Sequence, residues 1–366
     1  MKKPFRLELL LELLIFSGLL ILLLVTGCST DTTTTAESSL TASEAAPGAT
    51  ETVADTATIP PTSTAAKPVA ILLTPPGSDA EFAAEVQSTL AELASEDGYA
   101  LQGASQLASS DIGEDVRIVV VLAPDPGVRA LASASPDTQF LSVGIAGIEA
   151  ADNLSVLGSE GDRPDQQGFL AGYLAATITP EWRVGLISTQ DTTDGLAAGR
   201  AFQNGVVFFC GLCRQSQPPY YEYPQIQYLP SSTAGTDFQG AVNQIAGTAV
   251  GTVFLAPGLN DPALIEGLAA AGINIIGSAK PPQNAAANWV ATIGTDLISP
   301  LREIWPRLVE GQGGISSTPQ LQITDRNPDL FSPGRQRVVD EMLLELQDGY
   351  IGTGVDPATG EIQQYP

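Results

Sequence analysis

From Pro68 onward, short unbroken apolar runs alternate with stretches whose apolar residues recur at helical spacing. Val69, Ala70, Ile71, Leu72 and Leu73 follow one another without a polar break, as in a strand covered on both faces. A helix is predicted over 79–97, because Phe82, Val86, Leu90 and Leu93 fall at i, i+4, i+8 and i+11. Asp79 suits its N-cap and Gly98 its stop. The alternation then repeats. Strands are predicted at 118–122, 140–143, 184–187, 226–229, 252–255 and 273–276. Helices are predicted at 127–135, 166–177, 195–209, 237–246 and 261–271. A further helix-like run spans 301–309, where Pro306 should impose a kink or break.

Apolar strands alternating with helices imply parallel sheets covered on both faces. The strands are too many for one ordinary doubly wound sheet, so two such sheets are expected. Ligands of open α/β sheets bind at the carboxyl ends of strands. The loops predicted there hold Asp79, Asp125, Gln190, Asp191, Asn260 and Asp261, all able to hydrogen-bond a polar solute. Each of these residue types also serves βα turns for conformational reasons alone. Phe82 lies just beyond the first loop and offers an aromatic face. Tyr220, Tyr221 and Tyr223 sit in a proline-stiffened loop, with Tyr221 the central candidate. They either stack on a ligand ring or pack on their own lobe. Lys280 follows the 273–276 strand and either meets an anionic or carbonyl group or is solvated.

The amino-terminal segment has a different character. Lys2, Lys3 and Arg6 precede an apolar run from about 13 to 25, which ends in Leu24-Val25-Thr26-Gly27-Cys28. A basic start, a short apolar run and small residues before the cut make a secretory signal. Glu8 and Glu12 shorten the run below the ~20 residues that a membrane span needs. Its ending resembles the bacterial lipobox, which implies cleavage before Cys28 and lipid acylation of its thiol. Residues 29–66 are rich in Thr, Ser, Ala and Pro with almost no large apolar side chain. Such a segment is expected to remain an unfolded tether.

Charge and composition narrow the function. The chain of 366 residues carries 41 acidic and 16 basic residues, a net charge of −25, which argues against nucleic acid as a partner. It contains no His, which removes the commonest general base and the imidazole metal sites. No P-loop, Gly-x-Ser-x-Gly or metal-spaced set occurs. No catalytic residue, cofactor or metal is therefore expected. Cys210-Gly211-Leu212-Cys213 reads as a short-loop disulfide in an exported chain, with a redox pair and a zinc half-site as the alternatives.

The stretch Asp165-Gln166-Gln167-Gly168-Phe169-Leu170-Ala171-Gly172-Tyr173 carries a resemblance to a known family. It is followed by Arg183 to Ile187 and by Ala201-Phe202-Gln203-Asn204-Gly205. Near the end come Leu321 to Asp325, Leu330-Phe331-Ser332 and Gly349-Tyr350-Ile351. Together they resemble the basic membrane protein family, the purine nucleoside receptors that serve ABC transporters as substrate-binding lipoproteins. The resemblance implies a type I periplasmic-binding-protein fold, two Rossmann-like lobes joined by crossover strands and closing on a ligand. It also implies a nucleoside-like solute, an ABC permease partner, a lipid anchor on the outer face of the cytoplasmic membrane or in the periplasm, and a monomer. A ligand-sensing lipoprotein of the same fold is the alternative. The expected lobes are 68–157 plus 284–315 and 158–283 plus 316–352, after a signal at 1–27 and a linker at 28–67, with a tail at 353–366. The family's ribose-holding Asp falls at Gly277-Ser278-Ala279, its Lys near Thr295, and a second Asp near Gly144.

Overall fold

Unbroken apolar runs become the central strands of two sheets. The computed structural model describes residues 67–363. The predicted signal, Cys28 and the tether to residue 66 lie outside the described residues. The strands are β1 (Val69–Leu73), β2 (Ala100–Ala104), β3 (Val116–Leu122), β4 (Gln139–Val143), β5 (Leu154–Leu157), β6 (Val184–Thr189), β7 (Gln225–Leu229), β8 (Thr252–Leu255), β9 (Asn274–Gly277), β10 (Trp289–Asp296), β11 (Ser316–Ser317) and β12 (Gln320–Thr324). The helices are α1 (Ala80–Glu96), α2 (Val128–Ala134), α3 (Pro164–Ile178), α4 (Thr193–Cys210), α5 (Gln239–Gly247), α6 (Pro262–Ala270), α7 (Ile298–Val309) and α8 (Pro333–Gln347). Among the described residues no helix is long and apolar enough to cross a membrane.

The first six-stranded sheet has the order β11-β5-β4-β3-β1-β2, and the second the order β12-β10-β9-β8-β6-β7. Every pairing is parallel except β10 with β12. In the first sheet α1 and α7 cover one face and α2 the other. In the second, α3, α4 and α8 build one core layer, and α5 and α6 the opposite one. Burial on both faces explains why β1, β6 and β8 are apolar without alternation.

The chain passes between the sheets three times: through 158–163, at Leu297, and at Thr318 and Pro319. This corrects the expected lobe boundary at residue 284. β10 pairs with β9 and β12, so residues 289–296 belong to the second sheet and the return occurs at Leu297. Trp289 accordingly lies in the second lobe's core. Pro306 corrects a second expectation, since α7 runs through it without a break. Leu301, Ile304, Trp305 and Leu308 anchor the helix by one buried face, and the carbonyl that loses its donor belongs to exposed Arg302. Trp305 is fully buried, and its indole N–H donates to Asp97 Oδ2 at 2.7 Å.

Residues 211–224 connect α4 to the amino end of β7 and so lie at the end of the second sheet away from its carboxyl edge. Cys210 and Cys213 are at disulfide-bonding distance, with Cα atoms 5.1 Å apart. Glu181 holds this loop: its carboxylate accepts from the Ser216 N–H at 2.7 Å, the Ser216 hydroxyl at 2.5 Å and the Gln217 N–H at 3.1 Å. The Ser216 hydroxyl and then the Gln217 amide hold the Glu181 carboxyl below its ordinary value. A carboxylate depressed in the folded state contributes stability that is present above the unfolded value, about 4.3. That contribution is lost as pH falls through the lower folded value. Unfolding free energy measured against pH should therefore show a flatter acid limb in Glu181→Gln than in the parent chain. Identical slopes would show that the bonds hold nothing.

Candidate functional site

The loop after β1 reaches the carboxyl edge of the first sheet and turns into α1. There Asp79 caps the helix, its Oδ1 accepting from the Phe82 N–H at 2.9 Å. The cap fixes the first turn and with it the half-buried ring of Phe82. Ser78 donates to the Ala123 carbonyl at 2.6 Å, which ties this loop to the one after β3.

The second sheet presents its own carboxyl edge opposite. Gln167, in the first turn of α3, is only 5% exposed. Its side-chain amide reaches Thr295 Oγ1 at 3.5 Å, and its Oε1 has no partner among the described residues. Ser278 Oγ, just beyond β9, is likewise buried without a partner. Pro257, Gly258 and Asn260 follow β8, and Gly294 and Thr295 lie near the end of β10. With Asp79, Phe82, Gly144 and the crossover residues Asp162 and Leu297, these groups enclose a cavity of about 340 Å³. That volume suits a small solute. The site forms where strands from both sheets end, as crossover topology dictates.

The expected site residues divide into two groups. Asp79, Phe82 and Asn260 line the cavity. Asp125, Gln190, Asp191, Tyr221, Asp261 and Lys280 are not among its lining residues. Asp125 caps α2, accepting from the N–H groups of Gly127 and Val128 at 2.8 and 2.9 Å. Asp261 caps α6 through the Ala263 N–H at 2.8 Å. Asp191 accepts from the Ser231 N–H and hydroxyl at 2.8 and 2.9 Å, and these bonds lower its carboxyl from the ordinary value. The Gln190 N–H continues the β6–β7 pairing by donating to the Leu229 carbonyl. Lys280 is exposed beside the lining pair Ser278 and Ala279. Tyr221 is in the loop that precedes β7, and a loop preceding a parallel strand lies at the opposite end from the cleft.

Asp162 and Gln167 were not singled out from the sequence. A Gln at the start of an otherwise apolar helix was the available signal for Gln167. Asp162 gave none, because its place depends on the crossover. Asp162 stays exposed to solvent; partial desolvation by the surrounding protein, then the nearby charge of Asp194, raise its carboxyl from the ordinary value. Among the described residues no Lys or Arg lines the cavity. Gly144, Ser278, Ala279 and Thr295, where the sequence resemblance would place charged contacts, all line it.

No protein-family model and no curated protein matches the chain. Solved structures do. An ABC transporter system solute-binding protein from Conexibacter woesei DSM 14684 superposes with a TM-score of 0.59 at 18% identity, covering 78% of this chain and 98% of that one. An ABC transporter system solute-binding protein from Aeropyrum pernix K1 gives 0.55 at 13% identity, with 78% and 92% covered. A transcriptional activator of the comK gene from Bacillus halodurans gives 0.51 at 14% identity, with 79% and 99% covered. At such identities the likeness establishes the fold, which is the type I periplasmic-binding-protein fold.

Proposed function

We propose that the chain is an exported, lipid-anchored solute-binding protein that captures a small polar solute between its lobes and presents it to an ABC permease. One observation carries this: a cavity of about 340 Å³ lies between the carboxyl edges of two sheets, lined by Asp79, Phe82, Asp162, Gln167, Asn260 and Thr295. A concave site with a few polar side chains and one aromatic face is what a small polar solute needs. The solute-binding proteins from Conexibacter woesei and Aeropyrum pernix, which share the fold, support the transport role. Cys28 and the tether supply the anchor in this proposal. A nucleoside is the ligand that the sequence resemblance implies, with Phe82 stacking on the base, Asp79 and Asn260 meeting hydroxyls, and no cofactor involved.

The test is thermal unfolding of the full chain in detergent with nucleosides, bases, sugars, amino acids and amines. A solute at a hundred times its dissociation constant stabilises the fold by about 2.7 kcal/mol. A shift from one class that disappears in Gln167→Leu is the expected result. A fold unmoved by every class would favour the sensing alternative, in which the partner is a protein.

A further inference from the structure

The cavity's charged groups share one sign. Asp79 and Asp162 line it, and among the described residues no Lys or Arg does. Asp79 Oδ1 is occupied by the α1 cap, which leaves Oδ2 to the cavity side. The Asp162 carboxylate makes no hydrogen bond or ion pair among the described residues. Arg163, the next residue, is committed elsewhere: its Nε and Nη2 grip Asp165 at 2.8 and 2.9 Å. Lys280 stays exposed outside the lining. The other charged groups around Asp162 are Asp194 at the start of α4 and Glu160 on its own segment, both acidic. Gln167, nine-tenths buried, lines the same space with a neutral amide.

We infer that the solute is an organic cation, a small molecule carrying a protonated amine, and that Asp162 is its counter-charge. The inference rests on the receptor reading above and names the ligand class of the same cleft. An unpaired carboxylate in a cleft that closes loses solvation, and an ammonium group restores it by a charge-assisted bond. A phosphate or carboxylate ligand would instead meet two like charges and no donor cation. The neutral side chains of Gln167, Asn260 and Thr295 line the rest of the cavity and suit hydroxyl or amide groups on the solute. Because Asp162 is raised by partial desolvation and by Asp194, affinity for the cation should fall as pH drops through that raised value. The charge of the amine itself does not change in that range.

The experiment is isothermal titration of the full chain in detergent with size-matched pairs, glucosamine against glucose and an aminonucleoside against its parent nucleoside. The expected result is tighter binding of the amine in at least one pair, weakened about tenfold to a hundredfold in Asp162→Asn and progressively lost on acidification. Asp79→Asn is the second variant: Asn caps a helix as well as Asp does, so the fold is kept while a charge is removed. Neutral members binding as tightly as amines, in parent chain and Asp162→Asn alike, would overturn the inference and leave the receptor reading standing. No binding by either member of any pair would overturn both.

Discussion

Replacing Gly172 by leucine is expected to destabilise the chain by about 3 kcal/mol or more, the upper range for overpacking a tight core. The backbones of α3 and α4 come together without side chains between them. A Cβ on Gly172 would lie far inside contact distance of the Phe202 carbonyl oxygen, and one on Gly168 would meet the Ala198 carbonyl. Gly205 makes the reciprocal approach from α4 to the Phe169 carbonyl. In each case the obstacle is backbone, which cannot swing aside as a long side chain can. Phe202 and Phe254 stack directly beneath, both fully buried, so separating the helices would open the layer that covers the second sheet. The measurement is urea unfolding: the midpoint should fall steeply while the slope is unchanged. Gly240→Ala is the control. It sits exposed near the start of α5 with nothing within 4 Å of an added Cβ, and should be neutral or slightly stabilising. Equal midpoints for Gly172→Leu and the parent would refute the close packing.

This gives the glycine-rich stretch at 168–172 a physical meaning. The residues that carry the family resemblance are chiefly those that let two helices touch, so they report the scaffold more directly than the ligand. Gly144, Ser278 and Thr295 line the cleft and carry no charge.

What could be read from the sequence follows the same division. β1, β3, β6 and β8 were legible because burial on both faces leaves an unbroken apolar run. β2, Ala-Leu-Gln-Gly-Ala at a sheet edge, has no buried residue and no such signal. β10 ends in Gly294, Thr295 and Asp296, all half-buried: the first two line the cleft, and Asp296 accepts from the Ile298 and Ser299 N–H groups at the start of α7. That polarity hid the strand and displaced the lobe boundary. Loops after strands did lead to Asp79, Phe82 and Asn260. They equally suggested Asp125 and Asp261, whose carboxylates are spent on helix caps, and a cap and a ligand contact look alike in sequence. Asp162 enters the site only because the chain crosses between lobes there, and that is a property of topology.

The crossover itself depends on a buried ion pair, and here the second large effect is expected. Asp165 is fully buried, and beyond the two-point grip of Arg163 it accepts from Thr353 Oγ1 at 2.8 Å. Thr353 is in turn held by Asn204 of α4, which donates to its carbonyl at 2.8 Å. Crossover, α3, α4 and tail thus meet at one carboxylate. Removing one partner of a buried pair costs about 3–5 kcal/mol, because the remaining charge is stranded. The Arg163 side chain is 42% exposed, so solvent screens part of that and about 2–3 kcal/mol is the better expectation for Arg163→Ala. Lysine should rescue poorly, since a single ammonium cannot reproduce the bidentate grip. Adding Asp165→Asn to Arg163→Ala should recover much of the loss by removing the stranded charge while keeping a partner for Thr353. A double-mutant cycle on urea midpoints measures that coupling. Strictly additive losses would mean that the pair is decorative. A strong coupling would mean that the direction of the 158–163 crossover, and therefore the position of Asp162 in the cleft, is set by a charge two residues inside α3.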